Sequence, residues 1–223
     1  MSVAENIRNF RSIVPSDVEI VAVSKFHPAS LILEAYDAGQ RLFGESRVQE
    51  FLMKEKDLPK DIRWHFIGHL QTNKVKQIIG KTSLIESVDS ERLLELIDKE
   101  SEKAGVITNV LLQVHVAAEE AKFGFFPEEL DEYLQSGRYK NLKAVNICGL
   151  MGMATNTDNE ERIKSDFSRL HSVFEEVRNK YGKDLPDFSR LSMGMSGDWR
   201  LAVEEGSNIV RIGSAIFGNR YYG

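Results

Sequence analysis

Eight short runs rich in β-branched and aromatic residues alternate along this chain with longer segments whose apolar residues recur at helical spacing. The runs occupy residues 18–24, 41–44, 63–68, 83–88, 109–116, 143–151, 187–194 and 208–213. Alternation of this kind predicts parallel strands joined by helices. No linker rich in Pro, Gly or Ser interrupts it, so we expect one domain over residues 1–223. The expected fold is α/β, a single (β/α)8 TIM barrel, with an open doubly wound sheet as the alternative.

Helix signals support this alternation. Ser90 and Gly105 flank an amphipathic segment as N-cap and C-cap, which predicts a helix from Ser90 to Ala104. Residues 160–181 carry an apolar stripe of the same period and predict a longer helix. An extra helix is expected near residues 2–14, before the first strand.

Composition narrows the range of partners. The net charge of -5 argues against a nucleic-acid partner, because proteins that bind nucleic acids usually carry clustered Lys and Arg. No apolar stretch approaches the roughly 20 residues that span a bilayer, so no membrane partner is expected. The one cysteine, Cys148, has no partner for an internal disulfide, and the first residues lack the apolar run of a signal peptide. We therefore expect a reduced, cytoplasmic protein.

The first apolar run ends in the block AVSKFHP, which places Lys25 at the carboxyl end of a strand. Reactive groups of parallel α/β folds lie at these ends. Partial burial disfavours the ammonium, so the neutral amine becomes a nucleophile for an aldehyde and can form a Schiff base. The alternative is a lysine that only caps the strand with its head group in water.

Two turns rich in small residues, 192–197 and 211–214, lie at the ends of the seventh and eighth predicted strands. In barrels of this type these loops and a short extra helix commonly bind phosphate through backbone N–H groups. The hydroxyls of Ser192 and Ser214 would add donors. Each turn alone could be an ordinary glycine turn, but together they indicate a phosphate site.

A Schiff-base lysine beside a phosphate site points to pyridoxal 5'-phosphate (PLP) as the cofactor. That cofactor requires a partner for its pyridine nitrogen, and Arg211 lies in the last predicted strand. Because an arginine keeps its proton, it would leave the ring nitrogen unprotonated and weaken the ring as an electron sink. Arg211 thus fits either racemase-like chemistry or a protein that only holds the cofactor.

The chain resembles the pyridoxal phosphate homeostasis protein family, whose barrel is similar to the N-terminal domain of alanine racemase. The resemblance rests on the blocks AVSKFHP, FGESRVQE, WHFIGHLQTNK, KFGF, GLMGM, LSMGMSGDW and VRIGSAIFGNR. It implies a Schiff base at Lys25 and Arg211 at the ring nitrogen. It also implies that Glu45 and Ser46 lie at the rim, and that the phosphate is held by Ser192, Met193, Gly213 and Ser214.

Two departures from the family pattern stand out. The family usually reads FGEN where this chain has Ser46, and QVN where it has His115. A serine makes fewer hydrogen bonds than an amide, so fewer polar contacts are expected at position 46. Alanine racemase also has a second domain that supplies a tyrosine, whereas this chain ends at Gly223. Tyr221 and Tyr222 are weak candidates for a second acid–base group.

The expected role is PLP binding in cofactor homeostasis without dedicated turnover, by a monomer. Storage, buffering and delivery to PLP-dependent apoenzymes are all compatible with it. No catalytic residue is assigned, and no metal site is expected, because His65, His69 and His115 fall on separate elements. Lys74, after the third run, could contact an anionic ligand or face solvent. Two alternatives remain: a weak amino-acid racemase, and a barrel that binds another phosphorylated ligand without a Schiff base.

Overall fold

Eight parallel strands close into a barrel in the computed structural model, which describes residues 1–117 and 123–218. Each strand pairs with the next along the chain, and the first pairs with the last, with Val21 opposite Arg211. All eight predicted strands and the closed barrel are confirmed, so the open sheet is excluded. The strands are β1 (Glu19–Val23), β2 (Leu42–Glu45), β3 (Arg63–Phe66), β4 (Leu84–Val88), β5 (Thr108–Gln113), β6 (Val145–Met151), β7 (Arg190–Met195) and β8 (Ile209–Ile212).

Helices surround the barrel, and the predicted extra helix precedes β1. Ser90 caps its helix as expected, accepting a hydrogen bond from Leu93 N at 3.3 Å, and Gly105 ends that helix with φ of 67°. The helices are α1 (Val3–Ile13), α2 (Ala29–Asp37), α3 (Val48–Asp57), α4 (Val75–Ile78), α5 (Glu91–Ala104), α6 (Pro127–Gln135), α7 (Glu160–Tyr181), α8 (Trp199–Glu204) and α9 (Ser214–Phe217). Short 3-10 turns lie at Thr72–Lys74 and Arg138–Asn141.

Two apolar clusters stabilise the fold. The larger cluster fills the space between strands and helices and includes Phe43, Phe51 and Phe167, each fully buried. The smaller cluster fills the barrel interior and contains Val21, Val23, Leu42, Leu84, Leu111, Cys148, Met151 and Ile209. Side chains alternate between these clusters along each strand, as the pleat requires. The interior is therefore a packed core, and a ligand must bind at the barrel mouth.

Strand β7 is longer at its carboxyl end than the sequence pattern predicts. It continues to Met195, so the turn after it begins at Ser196 and not at Ser192. Within the described residues, no helix combines the length and apolar character that crossing a membrane requires.

Candidate functional site

A cavity of about 240 Å³ opens at the carboxyl ends of the strands. A wider cavity of about 730 Å³ adjoins it through Met153, Met195, Ser196 and Gly197. The smaller cavity is lined by Val23, Lys25, His27, Ile67, Met153, Met195, Ser196, Gly197, Arg211, Gly213, Ser214 and Gly218. It combines an amine, an imidazole, a guanidinium and two turns of small residues in one small volume.

Lys25 reaches this cavity from the loop after β1. Its side chain is half-buried, and Val23 and Ile67 supply apolar walls beside it. His27 follows two residues later; it is buried and its ring stacks on Phe217 with a centroid distance of 5.2 Å. An amine at an apolar wall with partial access to solvent suits reaction with an aldehyde.

Arg211 enters the site from β8 and is fixed on its inner side. Its Nη1 donates to Ser192 Oγ at 2.6 Å, and its Nη2 donates to the carbonyl of Gly152 at 2.9 Å. The Ser192 hydroxyl in turn donates to Glu86 Oε2 at 2.6 Å. Glu86 Oε1 lies 2.5 Å from Nδ1 of His65. A polar layer of four side chains thus lies between the apolar barrel interior and the cavity.

Within this polar layer, the negative charge of Glu86 and the positive charge of Arg211 compensate each other. Burial alone would raise the pKa of Glu86, but the hydrogen bond from His65 and the charge of Arg211 outweigh burial and hold that pKa below its usual value. Burial lowers the pKa of Arg211, although Glu86 opposes this, and a guanidinium stays protonated throughout the physiological range. Arg211 therefore presents a fixed cationic donor to the cavity.

The turns after β7 and β8 meet at Ser196. Its Oγ accepts hydrogen bonds from Gly213 N at 3.1 Å and from Ala215 N at 3.4 Å. Two backbone N–H groups and the nearby Ser214 thus converge at one edge of the cavity. Because α9 has only four residues, an anion here would depend on these amides and hydroxyls and not on a helix dipole.

The structure brings four of the six predicted site residues to the cavity: Lys25, Arg211, Gly213 and Ser214 line it. Ser192 and Met193 lie within β7 and are fully buried, and Ser192 contacts Arg211. Direct contact of these two residues with a ligand stays a prediction.

Sequence reasoning did not assign His27 or Glu86 to the site, and it included Ser196 in the turn 192–197 without naming it as a binding residue. Each of the three had a signal. His27 lies in the same block as Lys25, Glu86 is an acid inside a strand pattern, and Ser196 lies in the turn predicted to bind phosphate. A charged residue in a buried strand is uncommon without a partner, which was the strongest of these signals.

Other residues weighed from the sequence lie apart from the cavity or outside the described part. Lys74 is half-buried and its Nζ lies 3.4 Å from Gln49 Oε1. Glu45 is buried at the end of β2. Tyr221 and Tyr222 lie outside the described residues. Within residues 1–117 and 123–218, no three His, Cys, Asp or Glu side chains are placed to hold a metal ion.

Residues 1–221 match the family model described as the N-terminal domain of alanine racemase. A pyridoxal phosphate homeostasis protein of Aquifex aeolicus is 42% identical over 205 residues, covering 92% of this chain and 88% of that relative. PipY of Synechococcus elongatus PCC7942, solved with PLP bound, is 37% identical and superimposes with a TM-score of 0.87, over 97% of this chain and 100% of PipY.

Alanine racemase of Clostridium difficile superimposes with a TM-score of 0.74 at 13% identity, over 98% of this chain and 59% of the racemase, which shows a shared fold alone. The barrel, the family model and the homeostasis protein of Aquifex aeolicus agree with the resemblance stated from the sequence blocks. The chain belongs to the pyridoxal phosphate homeostasis protein family.

Proposed function

We propose that this chain binds PLP in the cavity at the barrel mouth, with a covalent bond to Lys25. Arg211 would face the pyridine nitrogen, and Gly213, Ser214 and Ser196 would hold the phosphate. The observation that carries the proposal is the meeting of Lys25 and Arg211 with a turn of convergent N–H groups around one cavity of about 240 Å³. PipY, a relative of the same fold, has been solved with PLP bound.

The arrangement favours holding the cofactor over turning substrate over. When bound, PLP supplies an aldehyde that bonds to amines and a ring that withdraws electrons. Arg211 is a fixed donor whose proton is not given up, so it would leave the ring nitrogen unprotonated and limit electron withdrawal. We therefore propose a role in PLP homeostasis without dedicated catalysis, by a monomeric cytoplasmic protein that supplies PLP-dependent apoenzymes. Closure of the barrel by β1 and β8 supports one domain over residues 1–223.

The direct test is a visible absorption spectrum of the protein with added PLP, followed by borohydride reduction and peptide mass mapping. We expect a new visible band and a reduced pyridoxyl label on Lys25. Lys25→Ala should remove both, and Lys74→Ala should change neither, because Lys74 does not line the cavity. A label that persists on another lysine in Lys25→Ala contradicts the assignment, and the absence of any band in the wild type contradicts PLP binding.

A second candidate function, slow amino-acid racemisation, is favoured by one observation. His27 lines the same cavity as Lys25, so an imidazole and an amine could exchange a proton with the two faces of a substrate carbon. Incubating alanine and serine with the PLP-loaded protein in deuterated water separates the two functions. Deuterium at Cα that disappears in His27→Asn would support catalysis, and its absence in the wild type supports a carrier.

A further inference from the structure

Helix α3 holds the backbone on both sides of Lys25. Lys54 Nζ donates to the carbonyl oxygen of Ser24 at 2.8 Å, one residue before Lys25. Glu50 Oε1 accepts the backbone N–H of Phe26 at 2.6 Å, one residue after it. The two peptide groups that flank Lys25 are therefore bound to charged side chains of one neighbouring helix.

These side chains also bind one another. Besides the Ser24 carbonyl, Lys54 Nζ contacts Glu45 Oε1 at 2.7 Å and Glu50 Oε1 at 2.6 Å. Glu45 Oε1 accepts the Ser24 hydroxyl at 2.6 Å. Lys54 is only 7% exposed and Glu45 is fully buried, so water does not weaken these contacts as it would at the surface. We refer to these three side chains, Glu50 and Lys54 of α3 together with Glu45 of β2, as the α3 clamp.

The clamp holds a backbone conformation that the chain would not favour alone. Phe26 has φ of 65°, and it is the one non-glycine residue with positive φ in the described part of the chain. A bulky residue in this region is strained and persists only where surrounding contacts fix it. The guanidinium carbon of Arg47 also lies 4.6 Å from the centre of the Phe26 ring. The loop after β1 is thus held in a strained form just where Lys25 leaves it.

We propose that Glu45, Glu50 and Lys54 are positioning residues for Lys25, which fix the loop so that its amine points into the cavity. This inference rests on the proposed function, because it assumes that the Lys25 amine is the group that bonds PLP. None of the three clamp residues lines the cavity, so they act through the backbone of Ser24 and Phe26. Lys54 thereby helps to fix the position of the Lys25 amine.

The test compares four variants with the wild type. Glu50→Ala removes the acceptor of the Phe26 N–H, whereas Glu50→Gln keeps an oxygen there and loses the charge that pairs with Lys54. Lys54→Met removes the ammonium and keeps an apolar stem, and Lys56→Met is its control at an exposed position of the same helix. Two readouts are used: PLP affinity from the visible band, and the rate of Lys25 acetylation by trace acetic anhydride in PLP-free protein, with Lys103 as the internal reference.

We expect Glu50→Ala and Lys54→Met to weaken PLP binding about tenfold, since each loses a hydrogen bond that involves a charged group. We also expect Lys25 to be acetylated about threefold faster relative to Lys103, because a released loop leaves the barrel mouth. Lys56→Met should match the wild type in both readouts, and Glu50→Gln should lie between Glu50→Ala and the wild type, because it keeps the acceptor of the Phe26 N–H and loses the ion pair with Lys54.

The two proposals fail in different ways. If the wild type forms no reducible bond with PLP, the proposed function is wrong, and the acetylation rates still decide whether the clamp positions Lys25. If Glu50→Ala folds and leaves both readouts at wild-type values, the positioning role is overturned. Glu50 is only half-buried, so the Glu50→Ala and Glu50→Gln pair serves this purpose even if Lys54→Met does not fold.

Discussion

Arg211 and Glu86 are joined inside the barrel through the hydroxyl of Ser192, which accepts from Arg211 Nη1 and donates to Glu86 Oε2, each at 2.6 Å. Arg211 Nη1 and Glu86 Oε2 lie 3.8 Å apart, and both side chains are buried. Each charge therefore depends on the other for compensation, since moving an unpaired charge into the interior is costly. The positive charge of Arg211 faces the cavity, and it is compensated by Glu86, which does not line the cavity.

Removing both members of this pair should cost less stability than the sum of the two single removals. We expect Arg211→Met or Glu86→Gln alone to lower the free energy of unfolding by about 3 kcal/mol, because a buried charge is left without its partner. The double variant should lose about 2 kcal/mol less than the sum of the two single losses. Urea unfolding at neutral pH gives the free energy of unfolding of the wild type, the two single variants and the double variant. Strictly additive losses would show that the two charges are not coupled.

Glu86 should also make the protein sensitive to acid. Its pKa is lowered in the folded state, so the stabilisation is present above 4.5, the usual pKa of the carboxyl, and is lost as pH falls through the lowered folded-state value. The stability difference between the wild type and Glu86→Gln should therefore shrink as pH falls below 4.5. Denaturant unfolding of both proteins across this range gives the measurement, and a constant difference would contradict the lowered pKa.

Glu45 should have the opposite dependence on pH. Burial raises its pKa from 4.5 to about 6, although Lys54 and the Ser24 hydroxyl oppose the rise and Glu50 adds to it. The folded protein therefore holds this proton more tightly than the unfolded chain, and the stabilisation is full below 4.5 and lost as pH rises through about 6.

Glu45→Gln cannot titrate, so it isolates this effect. The stability of the wild type relative to Glu45→Gln should fall by about 2 kcal/mol between acid and neutral pH, as a shift of this size implies. Urea unfolding of both proteins below 4.5 and near neutral pH provides the comparison. An equal difference at both ends would show that folding does not raise the pKa of Glu45.

The strands and the closed barrel could be predicted because period and length are local properties of the sequence. The residue at which the phosphate turn begins could not be predicted from these local properties. Ser192 and Gly194 belong to both the predicted strand 187–194 and the predicted turn 192–197, and they lie within β7 for reasons that come from distant parts of the chain. Ser192 reaches Glu86, which is 106 positions away, and a Cβ on Gly194 would lie 2.5 Å from Cβ of Ala202.

The buried charges escaped prediction for the same reason. Lys54 follows the helical pattern of α3 like any surface lysine, and only the folded chain shows that it binds the carbonyl of Ser24. Lys25 could be predicted because its position at a strand end is itself informative in a parallel barrel. Sequence thus indicates which residue lines the cavity more readily than it indicates what holds that residue in place.

Gly149 should be far less tolerant of substitution than Gly105, although both have positive φ. At Gly149, where the register of β5 and β6 shifts, a Cβ would lie 1.8 Å from the carbonyl oxygen of Arg190. At Gly105 a Cβ would meet nothing within 4 Å. We expect Gly149→Ala to cost at least about 3 kcal/mol, since the strands must move apart. Gly105→Ala should cost about 1 kcal/mol from its backbone conformation alone, and equal losses in urea unfolding would contradict this reading.

Ser196 should contribute to recognition of the phosphate and not of the pyridoxal ring. Its hydroxyl accepts hydrogen bonds from the N–H groups of Gly213 and Ala215, and Gly213, Ser214 and Ser196 itself are proposed to hold the phosphate. Ser196→Ala removes one hydrogen-bonding hydroxyl from this edge, and we expect PLP binding to weaken about fivefold or more. Binding of pyridoxal, which lacks the phosphate, should stay at its wild-type strength. Titrations of both compounds, followed by the visible band, provide the two affinities. Equal weakening for PLP and pyridoxal would mean that Ser196 supports the loop in general, and that the phosphate is held elsewhere at the barrel mouth.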